Sequence, residues 1–126
     1  MEKSEIIEGN KLIAEFMYPD WKDPKSGEEP VGDYMKAVGG NHYVLACLVK
    51  KEYEMLRYNY SWDTLMPVVK KVSKHNPVKI KYLGEKMTTI IGLDGYTQVT
   101  EKGEGIISVY KAIVRFIKWH NGNKSN

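Results

Sequence analysis

The alternation of apolar and polar positions changes period several times along this 126-residue chain, and each change marks an element. Ile6, Ile13, Phe16 and Met17 recur at helical spacing, which predicts a helix over about residues 4–17 with Ser4 as its cap and Pro19 as its stop. Gly9-Asn10 weakens that helix in its middle. Asp20 to Pro30, with Pro24, Gly27 and Pro30, has turn composition and predicts a long surface loop over 18–33, in which Trp21 reads as a loop anchor first and a ligand platform second.

Tyr34 to Val38, and the apolar run His42 to Val49 that follows Gly39-Gly40, read as extended. A buried strand is the first reading of that run. A short helix continuing through Lys51-Glu52-Tyr53-Glu54-Met55-Leu56 is the other, because an unbroken apolar run has no period to decide between them. Ser61 and Asp63 open a helix over about 62–74, with Leu65, Met66, Val69 and Val72 toward the core. Pro67 is tolerable there only near the first turn, and Pro77 closes the helix.

Val78-Lys79-Ile80-Lys81-Tyr82-Leu83 alternates with a period of two, which predicts a strand with one wet face. Met87 to Ile91 reads as a second strand, Leu93-Asp94-Gly95-Tyr96 as a tight turn, and Thr97 to Thr100 as the return. Ile106, Val109, Tyr110, Ile113, Phe116, Ile117 and His120 predict an amphipathic helix over about 106–121, ended by Asn121-Gly122. Residues 122–126 read as a frayed tail. The expected architecture is a single domain over 1–126 of α/β (α+β) class: a mostly antiparallel sheet of about three to five short strands between Tyr34 and Thr100, covered by three helices.

Composition narrows the class. At 42% hydrophobic and 28% charged residues the chain is that of an ordinary globular protein, which excludes disordered and fibrous classes. No apolar run approaches the roughly 18 residues of a membrane span, and Met1-Glu2-Lys3-Ser4-Glu5 is unlike a secretion leader, so the expected location is the cytoplasm. Cys47 is the single cysteine, which excludes an internal disulfide and a multi-cysteine metal centre. The net charge of +3 conceals a split: residues 1–35 hold nine acids against four lysines, a net −5, and the remainder carries +8. A basic half can draw phosphates or nucleic acid, although an acidic segment beside solvated lysines explains the same pattern.

Signals of catalysis are weak. His42, His75 and His120 lie in different elements without metal-ligand spacing, Cys47 sits in an apolar run that favours an inert thiol, and no nucleophile-elbow, phosphate-loop or zinc-protease motif is present. Gly103-Glu104-Gly105 ahead of the last helix is a helix-start turn first and a phosphate loop second, since Glu104 already places a carboxylate there. The densest polar-aromatic cluster is Tyr58-Asn59-Tyr60-Ser61-Trp62-Asp63. Free amides and flanking aromatics could hold a nucleotide-type anion there, helped by Lys70 or Lys74. The competing reading is that Ser61 caps, Asp63 complements the helix dipole, and Tyr60 and Trp62 pack. The candidate ligand-binding residues are therefore Tyr58, Tyr60, Ser61, Trp62, Asp63, Lys70 and Lys74, with no catalytic residue, metal or cofactor expected.

The block Ser61-Trp62-Asp63-Thr64-Leu65-Met66-Pro67-Val68-Val69-Lys70-Lys71-Val72, with the opening Glu8 to Met17 and the ending Val109 to Asn121, resembles a family of small uncharacterised proteins from tailed bacteriophages and Bacteroidota. The order of elements is also similar to phage domains built as alpha-beta-alpha sandwiches. The stretch from Pro19 to Arg57 departs most from the family pattern. The family brings no catalytic residues to transfer. It implies a phage or mobile-element accessory protein in the bacterial cytoplasm.

Three functions of different class follow. The first is a non-enzymatic accessory protein acting by contact with a host or phage protein, or with copies of itself as an oligomer. The second is an anti-defence protein that sequesters a nucleotide-type signal, such as a cyclic nucleotide. Nucleic-acid binding through the basic two-thirds is the least favoured, and no membrane partner is expected.

Overall fold

The computed structural model describes residues 1–25 and 32–123, and the chain divides into two compact units, Met1–Leu56 and Arg57–Asn126. Gly27 to Pro30 of the expected loop and Lys124 to Asn126 of the expected tail lie outside the described residues. The class is mixed α+β: among the described residues there are five α-helices and one three-stranded antiparallel sheet. The charge split follows the division. Met1–Leu56 holds eleven acids against seven lysines, a net −4, and Arg57–Asn126 holds twelve basic residues against five acids, a net +7.

The first unit is helical throughout. Helix α1 spans Lys3–Met17, and its cap is Glu2 rather than Ser4: Glu2 and Glu5 form a reciprocal capping box that satisfies two of the free amides at the helix start. Gly9 and Asn10 are buried, which turns the expected weak point into a contact. The Asn10 side chain donates from Nδ2 to the Tyr53 carbonyl at 2.9 Å, tying α1 to a 3-10 turn over Tyr53–Leu56. Burial first, then the Asp23 and Glu15 charges, raise the Tyr53 phenol above its ordinary value. Trp21 meets Tyr34 edge to face at 5.9 Å, as a loop anchor would.

The extended reading of 34–49 is corrected. Helix α2 spans Asp33–Ala37 and helix α3 spans His42–Lys50, so the sheet does not begin at Tyr34. Two backbone devices separate the helices: Gly39 and Gly40 take φ of 65° and 78°, and the Asn41 side chain accepts the Val44 amide at 3.0 Å as N-cap. Val44, Leu45, Cys47 and Leu48 are the buried positions of α3, a helical spacing, while Tyr43 and Ala46 face solvent. The Tyr43 hydroxyl donates to the Met55 carbonyl. Cys47 is buried, as its apolar surroundings predict.

The second unit holds the sheet. Helix α4 spans Trp62–Ser73 and buries Leu65, Val68, Val69 and Val72. Met66, expected in the core, is exposed because it falls outside that stripe. Pro67 lies in the second turn rather than the first, on the exposed side with Asp63, whose carbonyl loses its donor. Strands β1 (Val78–Leu83), β2 (Lys86–Gly92) and β3 (Gln98–Glu104) follow as two antiparallel hairpins in the order β1-β2-β3. Gly84 takes φ 66° at the first position of the two-residue turn between β1 and β2, the type II′ requirement. The next turn is held by Asp94, whose Oδ1 accepts the Tyr96 and Thr97 amides at 3.0 and 2.8 Å and the Thr97 hydroxyl at 2.9 Å.

Strand β3 runs on to Glu104, longer than the expected Thr97 to Thr100, and turns through Gly105 into helix α5, Ile106–Gly122. Gly103-Glu104-Gly105 is thus a strand end and a corner. Gly103 lies against the first turn of α5, where a Cβ would come 3.4 Å from the Ser108 amide. Helix α5 lies across β2 and β3, and α4 packs against both α5 and β1. Its buried stripe of Val109, Ile113, Phe116 and Ile117 contributes roughly 1.5–3 kcal/mol per large side chain before entropy is counted.

Candidate functional site

Among the exposed large apolar side chains, Ile80, Tyr82 and Leu83 share one element, the edge strand β1. Helix α5 packs mainly on β2 and β3, and α4 meets β1. The β1–β2 register sets Val78, Ile80 and Tyr82 on the face of Ile91, Thr89 and Met87, which is the face buried under α5. Val78 is half-buried at one end, yet Ile80 is 37%, Tyr82 71% and Leu83 84% exposed. The expectation of one wet face is therefore corrected: β1 is wet on both.

Among the described residues the backbone of this edge has no partner on its outer side. The Gly92 amide donates to the Pro77 carbonyl at 2.9 Å, which makes Pro77 and Gly92 a hydrogen-bonded pair. Hydrogen-bonded positions alternate along an antiparallel ladder, so Lys79, Lys81 and Leu83 turn their backbone groups to β2. Val78, Ile80 and Tyr82 turn theirs outward. Among the described residues no strand pairs with that side of β1. The far edge differs, because Arg115 of α5 reaches over to the Thr100 carbonyl at 3.1 Å and pairs with Glu101.

The opposite face of the sheet is rich in lysine. Register places Lys79, Lys81, Lys86 and Lys102 on it together with Leu83, Thr88 and Ile90, and Glu104 stands opposite Lys86. Lys81 and Lys102 flank Thr88 in one cross-strand row. These lysines are exposed and give the edge a basic flank.

The residues expected to bind a ligand are not drawn together in this way. Tyr58 is buried, whereas Tyr60, Trp62 and Asp63 are exposed. The Ser61 hydroxyl accepts the Thr64 amide at 3.4 Å and sits 3.1 Å from the Thr64 hydroxyl, so the cap occupies it. At 1.5 Å rise per residue, Lys70 lies roughly 12 Å along α4 from Trp62, and Lys74 roughly 18 Å. Burial, and then the Lys74 charge, lower the neighbouring Lys71 ammonium below the ordinary lysine value. His42, His75 and His120 form no cluster with other ligating groups among the described residues.

Sequence reasoning missed the edge itself. Its signal was present in the alternation of Val78 to Leu83 and in two lysines on the polar phase, but alternation does not report which strand lies at the edge of the sheet. No helix among the described residues is long and apolar enough to cross a membrane. No family model, curated protein or solved structure matches the chain.

Proposed function

We propose that this chain is a binding protein without catalytic function, acting by protein contact, and that the free edge of β1 is its contact surface. The observation that supports this is the coincidence on one strand of outward backbone groups at Val78, Ile80 and Tyr82, unpaired among the described residues, with exposed apolar side chains at Ile80, Tyr82 and Leu83. A strand edge with its outward backbone groups open is a template for an added strand from another chain. The resemblance of the Ser61–Val72 and Val109–Asn121 blocks to tailed-phage proteins supplies the setting: an accessory protein of a phage or mobile element in the bacterial cytoplasm.

Affinity capture from phage-infected bacterial lysate tests this, with the full chain and its Ile80→Pro variant compared side by side. Proline at Ile80 removes an outward amide that β2 does not use, so the sheet keeps its own hydrogen bonds. The proposal expects proteins captured by the parent chain and lost with the variant while circular dichroism is unchanged. The same proteins recovered by both would contradict it.

A further inference from the structure

We infer that the occupant of the β1 edge is an extended segment of another protein alternating apolar and acidic residues, and not a second copy of this chain. The inference rests on β1 being the contact surface and adds what that surface selects. On the inner face an added strand meets Ile80 and Tyr82, so its residues in that phase are apolar. In the other phase it meets Lys79 and Lys81, with Lys86 on the next strand beside Leu83. Opposite charges directly across a strand pair stabilise it and like charges destabilise it, so the residues in that phase are acidic.

The same lysines act against self-pairing. A two-fold antiparallel pair of β1 strands keeps each face on its own side, which leaves two registers with extensive overlap. Pairing Ile80 with its copy sets Lys79 opposite the copy's Lys81, and pairing Lys81 with its copy sets that lysine against itself. Lysines on an edge strand are a known device against like-with-like association. Here they discourage a second copy while leaving the edge open to an acidic strand.

The test is two-dimensional NMR titration of the full labelled chain with three probes at low and at physiological salt. These are a blocked octapeptide alternating valine and glutamate, the same peptide with lysine for glutamate, and a single-stranded oligothymidylate. The inference expects the glutamate peptide to shift the amides of Val78 to Leu83 and to bind about tenfold or more tightly than the lysine peptide, with the difference narrowing as salt rises. Ile80→Pro should abolish the shifts. The double variant Lys79→Glu with Lys81→Glu, two exposed positions, should reverse the peptide preference. Equal binding of both peptides at β1 would keep the edge as a contact surface and overturn the inference. An absence of shifts at β1 with either peptide would overturn both. Tighter binding of oligothymidylate, displacing the peptide, would overturn the inference in favour of a polyanion on the lysine face. Self-association of the parent chain in light scattering that Ile80→Pro removes would overturn it in favour of a second copy.

Discussion

Thr89 of β2 and Ser108 of α5, both fully buried, share a hydrogen bond of 2.8 Å between their hydroxyls at the junction of sheet and helix. A buried hydroxyl without a partner costs about 1–3 kcal/mol, while removal of both partners costs less. Thr89→Val therefore should destabilise the protein by about 1–3 kcal/mol, and Thr89→Val with Ser108→Ala by less than the sum of the single changes. Urea unfolding of the four proteins in a double-mutant cycle measures the coupling. Strict additivity would show that the two hydroxyls do not depend on each other.

Asn10 holds the first unit together from inside a helix. Its Nδ2 is the donor to the Tyr53 carbonyl, and the residue is fully buried. Asn10→Ala removes that donor and leaves a void, and an increase of about 2–3 kcal/mol in instability is expected. Hydrogen exchange of amides in α1 and the Tyr53–Leu56 turn, read against amides in β2, shows whether the loss is confined to Met1–Leu56.

Lys51 closes α3 in the left-handed conformation, φ 57° and ψ 34°. Its amide and that of Glu52 reach back to the Leu48 and Cys47 carbonyls at 3.3 and 2.9 Å, the two bonds of a Schellman cap. Glycine usually occupies that position, so Lys51→Gly should stabilise the protein by about 0.5–1 kcal/mol after the added freedom of the unfolded chain is subtracted. The pair with Asp23, at 3.9 Å and largely exposed, offsets little of this. A fall in melting temperature would contradict the assignment.

Asp94 gives stability a pH dependence of known sign. The Thr97 amide, then the Tyr96 amide and Thr97 hydroxyl, hold its carboxyl below the ordinary aspartate value. A group whose pKa is lowered by folding stabilises the fold while ionised, above the unfolded pKa, and the contribution disappears as pH falls through the folded value. Asp94→Ala should lower the urea midpoint near neutrality and have a smaller effect in acid below the carboxylate range. An effect independent of pH would place the role of Asp94 elsewhere.

How far the sequence foretold this structure depended on whether a pattern had one physical cause. Val78 to Leu83 alternates and forms β1 within those bounds, Ser61 caps α4 as its place before Trp62 implies, and the stripe from Ile106 to Ile117 forms α5. The run from His42 to Val49 misled because Tyr43 and Ala46 are apolar by type but exposed in fact, which hid the helical spacing of Val44, Leu45, Cys47 and Leu48. Asn41, three residues before Val44, was the local signal for a helix there. The cluster from Tyr58 to Asp63 reads both as a cap and as an anion site because the two use the same groups; what the sequence does not give is that Tyr58 is buried and that the Ser61 hydroxyl accepts the Thr64 amide. The edge of β1 was illegible because it depends on strand order, a long-range property.

Amide hydrogen exchange of the full chain, free and with the valine–glutamate peptide, tests the edge most directly. Backbone amides of Val78, Ile80 and Tyr82 should exchange quickly in the free protein while those of Lys79 and Lys81, bonded to β2, are protected. The peptide should slow the Ile80 and Tyr82 amides by tenfold or more and leave β3 unchanged. Protection of Ile80 and Tyr82 already in the free protein, or none gained with the peptide, would contradict the account.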